Sequence, residues 1–579
     1  PPARARRDDH LMPSHLTLPR PLRALGAVFA ALVALLALLA GPLAGPAAAD
    51  SYTPISGAGS TWAENAVDEW RRAVNQYGMR ISYAGTGSSD GRRQFLSGTV
   101  DFAVSDIPFQ THPTDGSAAE RPGSGSYAYM PIVAGGTVFM YHLTVNGKRV
   151  TNLRLSGAVV TKIFTGAIKT WDDPVIKADN PGLALPHRTI VPVVRSDGSG
   201  STAQFTMWMA AQHKSLWNAY CAKVGRSGAC GQTSYYPTVS GMIAQSGDLG
   251  VAGYIAQNYG EGAIGYVNYS YALNAHYPVA KVLNHAGYYT EPTPKNVAVS
   301  LLKAKINTNK SSADYLTQQL NGVYNDTDKR NYPLSSYSYM ILPLKVQGTF
   351  TKDKGKTLGA FSYYFMCQGQ QQAPSLGYSP LPINLVKAGF DQIKRIPGVR
   401  AQNINIRNCN NPTFTTDGHN KLAETAPYPS LCDRQGATAC TTGSGGAKSS
   451  NGSGSSGSTT TSGGTGTGDT TGTTTGAATN GGTSAQPSVD PDTGQALTSG
   501  GTGTGGTSTG TGTAAAAAAD GTVALAQPVA VSTEHGWTTT QTLMLLAAVL
   551  ILGLLLLPSI ASRLITSRTN DRKDEVSSR

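Results

Sequence analysis

A chain of 579 residues with 40% hydrophobic residues and a formal net charge of +12 is too long for one domain, yet apolar enough to bury a sizeable core in part of its length. The charge is uneven: +3 on residues 1–49, −4 on 441–560 and +2 on the last nineteen leave +11 on residues 50–440. A basic head favours anionic ligands or a polyanionic wall. Nucleic acid is not an expected partner, because the paired cations of the head, Arg71-Arg72, Arg92-Arg93, Lys329-Arg330 and Lys394-Arg395, form no stripe or known motif.

At the start, Leu25 to Ala40 is almost wholly apolar, follows Arg20 and Arg23, and precedes Ala47-Ala48-Ala49. A basic region, an apolar core and an A-x-A site make residues 1–49 a cleaved secretory signal, with Met12 the expected translation start. The apolar stretch ends in Gly-Pro and is short for a membrane span.

Three Gly/Ser/Thr turns then open helical patterns. Gly57-Ala58-Gly59-Ser60-Thr61-Trp62 precedes an amphipathic run from Ala63 to Tyr77. Gly85-Thr86-Gly87-Ser88-Ser89-Asp90-Gly91 follows the strand-like Met79 to Tyr83 and precedes Arg92 to Leu96. Gly198, Ser199, Gly200, Ser201 and Thr202 follow a β-branched run that ends at Arg195 and Asp197. Any one of these is an ordinary strand-to-helix turn with an N-cap. Three together suggest convergence on one small oxyanion, held by free N–H groups at helix starts and by the hydroxyls beside them.

Short apolar strands are predicted at Arg80 to Tyr83, Phe102 to Val104, Met130 to Ala134, Val138 to Leu143, Ile190 to Val194, Ala263 to Val267 and Met340 to Leu344. Their alternation with helical patterns predicts an α/β fold with the ligand at the C-terminal ends of strands. About 350 residues exceed one core, which predicts two lobes with a cleft between them. Cys221, Cys230, Cys367, Cys409, Cys432 and Cys440 are disulfide candidates behind a secretory signal. Proximity favours Cys221 with Cys230 and Cys432 with Cys440, leaving Cys367 with Cys409, among fifteen possible pairings. No zinc-like spacing is present, and no metal is expected.

Residues 405–440 form a Cys-containing extension to which the sequence assigns no function. Residues 441–536 hold Gly, Thr, Ser and Ala with no Phe, Tyr or Trp, and are predicted to be a disordered linker. Leu543 to Leu557 is unbroken apolar sequence with Trp537 before it and Arg563, Arg568, Arg572 and Lys573 after it. Residues 537–561 are therefore predicted to be one transmembrane helix, with 562–579 a cytoplasmic tail and the head extracellular.

The three turns, together with Gly98-Thr99-Val100-Asp101-Phe102-Ala103-Val104-Ser105-Asp106, Ile163-Phe164-Thr165-Gly166 with Trp171-Asp172-Asp173, and Ala263-Ile264-Gly265-Tyr266-Val267, resemble the phosphate-binding protein of high-affinity phosphate ABC transporters. These motifs come in that family's order and cover most of residues 50–400. The resemblance implies a type II periplasmic-binding-protein fold over 50–404, with lobe 1 about 50–135 and 340–404 and lobe 2 about 136–339. It implies a monomeric, non-enzymatic protein without cofactor that closes on inorganic phosphate and serves an ABC permease and its ATPase subunits. The implied ligand contacts are Ser60, Thr61, Trp62, Ser88, Asp106, Arg195, Asp197, Ser199, Gly200 and Ser201, with Trp62 where Phe is usual and Ser201 where Thr is usual.

In that reading Asp106 accepts the proton that phosphate keeps and sulfate lacks, and Arg195 donates a charge-assisted bond while Asp197 orients it. Two other readings compete. Gly87-Ser88-Ser89-Asp90-Gly91 fits the G-x-S-x-G of a serine hydrolase with Ser89 as nucleophile. A wall-tethered adhesion or sensory ectodomain of the same fold with an altered ligand would also account for the linker and anchor.

Overall fold

The computed structural model describes residues 51–226, 230–415 and 418–451. The predicted secretory signal (1–49), the part of the predicted linker (441–536) beyond residue 451, the predicted transmembrane helix (537–561) and the predicted tail (562–579) lie outside the described residues. Among the described residues no helix is long and apolar enough to cross a membrane.

The fold is α/β. Its main strands are β1 (Ile55–Gly59), β2 (Ile81–Ala84), β3 (Phe102–Ser105), β4 (Tyr127–Tyr141), β5 (Val191–Arg195), β6 (Ile243–Gln245), β7 (Ala263–Asn268), β8 (Val279–Leu283) and β9 (Ser335–Pro343). The helices that matter below are α1 (Glu64–Ala73), α2 (Ser88–Leu96), α3 (Gly200–Gln212), α4 (Gly247–Ala256), α5 (Tyr269–Asn274), α6 (Pro294–Leu301) and α7 (Lys352–Cys367). Across the sheet the order is β2-β1-β3-β9-β4-β7-β5-β6, with β8 also paired to β4. β1 runs parallel to β2 and β3, as β5 does to β6 and β7, and helical crossovers permit such pairing. Antiparallel pairs join these two parallel groups through β4 and β9.

β4 belongs to both groups. Its residues Tyr127 to Gly136 pair with β9, and Thr137 to Tyr141 pair with β7. The sheet therefore divides into a first half-sheet (β2, β1, β3, β9, start of β4) and a second (end of β4, β7, β5, β6, β8), meeting near Gly136 and Ser335. Two strands were predicted where β4 is one, because Gly135-Gly136 reads as a break. The glycines are there for close packing instead: a Cβ on Gly135 would lie 2.8 Å from the Trp62 ring, and one on Gly136 would lie 2.2 Å from Pro292.

The core follows from apolar spacing. In α1, Ala66, Val67 and Trp70 share the buried face, and Trp70 stacks on Phe365 of α7 at 4.8 Å while its Nε1 donates to Gly369 O at 3.0 Å. The predicted run to Tyr77 ends as an α-helix at Ala73 and finishes as a 3-10 turn, Val74–Tyr77, closed by a left-handed Gly78. In the second half, Phe139, Phe164, Phe205 and Tyr266 form one aromatic cluster beneath β4, β7 and α3.

The structure joins Cys221 to Cys230, Cys367 to Cys409, and Cys432 to Cys440. Residues 405–440 wrap both halves. Cys409 is tied to α7, and Asn411 and Thr413 side chains donate to Leu381 O and Pro380 O. Leu422, Ala423 and Ala426 then pack on Ala298 and Val299 of α6. Finally the fully buried Arg154 donates to Cys432 O and Ala437 O, and Lys281 pairs with Asp433 at 2.7 Å. The linker predicted from Thr441 is still docked at Lys448. Ser444 Oγ donates to Thr151 O at 3.0 Å, the Gly445 N–H donates to Glu291 Oε2 at 2.9 Å, and Lys448 pairs with Glu291. Composition misses this segment because backbone and hydroxyl hydrogen bonds hold it, where burial of large side chains would have shown in the sequence.

Candidate functional site

Asp106 follows the end of β3 and is 2% exposed. Its carboxylate accepts from Ser60 Oγ at 2.8 and 2.9 Å, from Ser88 Oγ at 3.2 Å and from Ser338 Oγ at 2.8 Å. Burial pushes its pKa up to about 6, although the hydroxyls of Ser338, Ser60 and Ser88 hold it down. At neutral pH it is thus an ionised acceptor, and among the described residues no cation is hydrogen-bonded to it. Gly200, the first residue of α3, lies against this carboxylate, and a Cβ there would fall 2.3 Å from Asp106 Oδ2. The cleft is closed over the carboxylate, and the Ser89 N–H donates to Gly198 O at 2.9 Å beside it.

Arg195 ends β5 and is 3% exposed. Its Nε donates to Asp197 Oδ1 at 2.8 Å, its Nη2 to Asp197 Oδ2 and to Thr61 Oγ1 at 2.9 Å, and its Nη1 to Asp248 Oδ2. Burial alone would lower the pKa of this guanidinium, but Asp248 and then Asp197 reverse the sign and raise it. Four of the five N–H bonds of the guanidinium are thereby engaged, and one on Nη1 is left for a ligand.

Backbone donors complete the arrangement. The carbonyls of Ser60, Thr61 and Trp62 accept the hydroxyls of Tyr83 at 2.9 Å, Tyr271 at 2.7 Å and Tyr378 at 2.6 Å. Burial raises the pKa of all three tyrosines, which keeps them protonated as donors. With its carbonyls pinned, this turn leaves the N–H groups of Thr61 and Trp62 without a backbone acceptor among the described residues, as are those of Ser88, Gly200 and Ser201. The last three open α2 and α3, where orphan N–H groups and the positive end of the dipole attract an anion. Ser201 Oγ is buried and has no partner among the described residues.

All ten predicted contacts come together, but in different capacities. Gly200, Ser201, Ser88, Trp62 and Thr61 supply N–H groups with no acceptor among the described residues. Asp106 supplies the acceptor, and Arg195 one N–H. Asp197 serves Arg195 and also accepts the Gly247 N–H at 3.0 Å. Ser199 Oγ accepts the Thr202 N–H at 3.1 Å and so caps α3. Ser60 Oγ is spent on Asp106, Thr61 Oγ1 on Arg195 and Asp248, and Trp62 Nε1 on Thr137 at 3.1 Å. Ser89 Oγ accepts from Arg92 Nη2 at 3.3 Å, and among the described residues no histidine hydrogen-bonds to it.

Sequence reasoning missed Asp248 and Ser338. Asp248 lies 53 residues beyond Arg195 in a Ser-Gly-Asp helix start that resembles a solvated cap, yet its side chain is 0% exposed. Ser338 belongs to Ser335-Ser336-Tyr337-Ser338 in a strand buried along its whole length. Three serines in a fully buried strand were the available signal, since a buried hydroxyl needs a partner.

A family model described as PBP superfamily domain matches residues 44–368, more than half of the chain. The phosphate-binding protein PstS of Xylella fastidiosa (strain Temecula1) is 32% identical over 336 residues, covering 58% of this chain and 83% of that protein. PstS of Haemophilus influenzae is 29% identical over 343 residues, covering 59% of this chain and 92% of that one. Among solved structures, the phosphate-binding protein from Stenotrophomonas maltophilia covers 67% of this chain and 99% of its own, at 17% identity and a TM-score of 0.40.

Proposed function

This chain belongs to the PBP superfamily, and within it to the phosphate-binding proteins of the PstS kind; on that premise we propose that it captures inorganic phosphate between its two half-sheets and hands the ion to an ABC permease and its ATPase subunits. The observation that carries this reading is the set of unspent donors, the Ser201 hydroxyl and the N–H groups of Thr61, Trp62, Ser88, Gly200 and Ser201, gathered around one buried acceptor, Asp106.

The chemistry follows from that count. Phosphate near neutral pH keeps a proton, and that O–H donates a hydrogen bond to Asp106, while sulfate has none and would face the carboxylate with an unpaired oxygen. Discrimination on this basis reaches about 10⁴-fold or more. Arg195 adds one charge-assisted N–H, and the helix starts of α2 and α3 supply the rest. The working cycle is opening and closing of two lobes in a type II binding-protein fold, with no covalent step. In this reading the head is extracytoplasmic, which three disulfides support. A linker from about residue 449 to 536 and a single membrane span at 537–561 then hold it at the cell surface, with residues 562–579 inside.

The test is calorimetric titration of the oxidised chain, freed of bound phosphate, with phosphate and with sulfate at pH 7. Tight phosphate binding without sulfate heat, abolished in Arg195→Ala, supports the proposal. A folded chain that takes up neither ion overturns it.

A further inference from the structure

Asp248 has no place in the ion's own coordination. It opens α4, beyond β6 in the second half-sheet, and its side chain is fully buried. One oxygen, Oδ1, accepts the Asn268 N–H at 2.7 Å from the end of β7. The other, Oδ2, accepts from Arg195 Nη1 and from Thr61 Oγ1, the latter at 2.6 Å. Thr61 stands on the opposite side of the cleft, in the turn after β1 of the first half-sheet.

The Thr61 hydroxyl is saturated by this arrangement. Its proton goes to Asp248, and its lone pairs take Arg195 Nη2 at 2.9 Å and the Asp248 N–H at 3.1 Å. The hydroxyl is therefore spent within the protein, and what Thr61 offers an ion is its backbone N–H. Thr61, Asp248 and Arg195 make a closed ring of hydrogen bonds, and only Thr61 comes from the first half. Opening the cleft must pull that hydroxyl out of the ring and leave Asp248 and Arg195 each to exchange a partner for water.

We infer that Asp248 is a positioning residue that latches the closed cleft: it fixes the anion-binding guanidinium from behind and grips Thr61 across the cleft, so that it governs how slowly a captured phosphate leaves. The inference rests on the phosphate-binding reading above. Its chemistry is separate from ion recognition, since the carboxylate would act on the ion only through Arg195 and Thr61. The latch forms after the ion has entered an open cleft, so it acts on release and leaves entry alone.

Stopped-flow kinetics on the full-length oxidised chain provide the test, with Trp62 among the fluorescent reporters and a phosphate-consuming enzyme to chase release. Asp248→Asn keeps the shape and removes the charge; Thr61→Val removes the hydroxyl from the other side. Each is expected to speed release about 10- to 100-fold, the weight of a buried hydrogen bond to a charged group, while the association rate stays within about threefold. The double variant should release no faster than either single one, because both break one ring. Thr61→Ser should restore slow release.

A merely structural role would lower the melting temperature but leave release from the folded fraction unchanged, and that result overturns the latch. Additive effects of the two substitutions overturn it as well. Should Asp248→Asn fail to fold, Thr61→Val and its Thr61→Ser rescue decide the matter from the other half. Wild-type chain that binds phosphate while the variants release it at the wild-type rate leaves the receptor intact and removes the latch. Wild-type chain that binds no phosphate overturns both.

Discussion

The two halves of the cleft are built on opposite electrostatic plans. The first half-sheet presents a carboxylate among hydroxyls, with Asp106 held by Ser60, Ser88 and Ser338 and no cation bonded to it. The second presents a cation between carboxylates, with Arg195 clamped by Asp197 and Asp248. Neither half alone is a good anion site. The first would repel an anion, and the second has a guanidinium already neutralised twice over. On the proposed phosphate-binding reading, affinity for an oxyanion comes from N–H and hydroxyl donors assembled on closure, while the charges choose which oxyanion is kept.

The largest effect is expected from Arg195→Ala. It strands Asp197 and Asp248 without their shared cation, and breaking a buried pair of this kind costs about 3–5 kcal/mol. Urea unfolding should show that loss, and phosphate heat should vanish in calorimetry. A stability change below about 1 kcal/mol would mean that the carboxylates do not depend on Arg195.

Next in size is Asp106→Asn, which replaces the one acceptor by a group that can also donate. Phosphate should weaken, sulfate should begin to bind, and their affinity ratio should fall by about a hundredfold or more. The wild-type chain should move the same way as pH falls. The pKa of Asp106 is raised from 3.8 to about 6, so between those values the native state holds a proton that the unfolded chain has lost. The stability this group contributes is present below about pH 4 and is lost as pH rises through about 6. Sulfate titrations at pH 7 and pH 5 should therefore show binding only at the lower pH, and Asp106→Asn should erase that difference.

Ser201→Ala probes the donors alone. Its hydroxyl has no partner among the described residues, so the ligand-free chain should lose no stability by thermal melting. Phosphate affinity should fall about 10- to 100-fold, as for a hydrogen bond to a charged group. The smallest effect belongs to Trp62→Phe. It removes the Nε1 bond to Thr137, worth about 1 kcal/mol of stability, but keeps the backbone N–H, and phosphate affinity should stay within about threefold.

What was legible in the sequence was the part written in local chemistry. Gly/Ser turns, the carboxylate after β3 and the Arg195-x-Asp197 pair announce themselves within a few residues, and the structure brings them to one place. Long-range pairings were not legible. Asp248 meets Arg195 because β5 and β6 are neighbours in the sheet, a fact of topology and not of spacing. A turn also shows which groups are polar but not which of them the protein itself will use, as with the Thr61 hydroxyl that Asp248 and Arg195 take up. The same limit applied to β4, predicted as two strands, Met130 to Ala134 and Val138 to Leu143, on either side of two glycines that in the fold admit Trp62 and Pro292.

The docking of Ser444 to Lys448 has a mechanical consequence. Anything that pulls on the chain beyond Lys448 meets the head at Thr151, Val279 and Glu291, around β8 and the start of the second half. Behind that anchor sits the Cys432–Cys440 loop, clamped by Arg154 and Lys281, before the strand of force could travel on to Cys409 and α7. Tension is thus grounded in one side of the molecule. On the proposed reading, in which the chain beyond Lys448 leads to the anchor, such a head could be tugged without its jaws being pried apart.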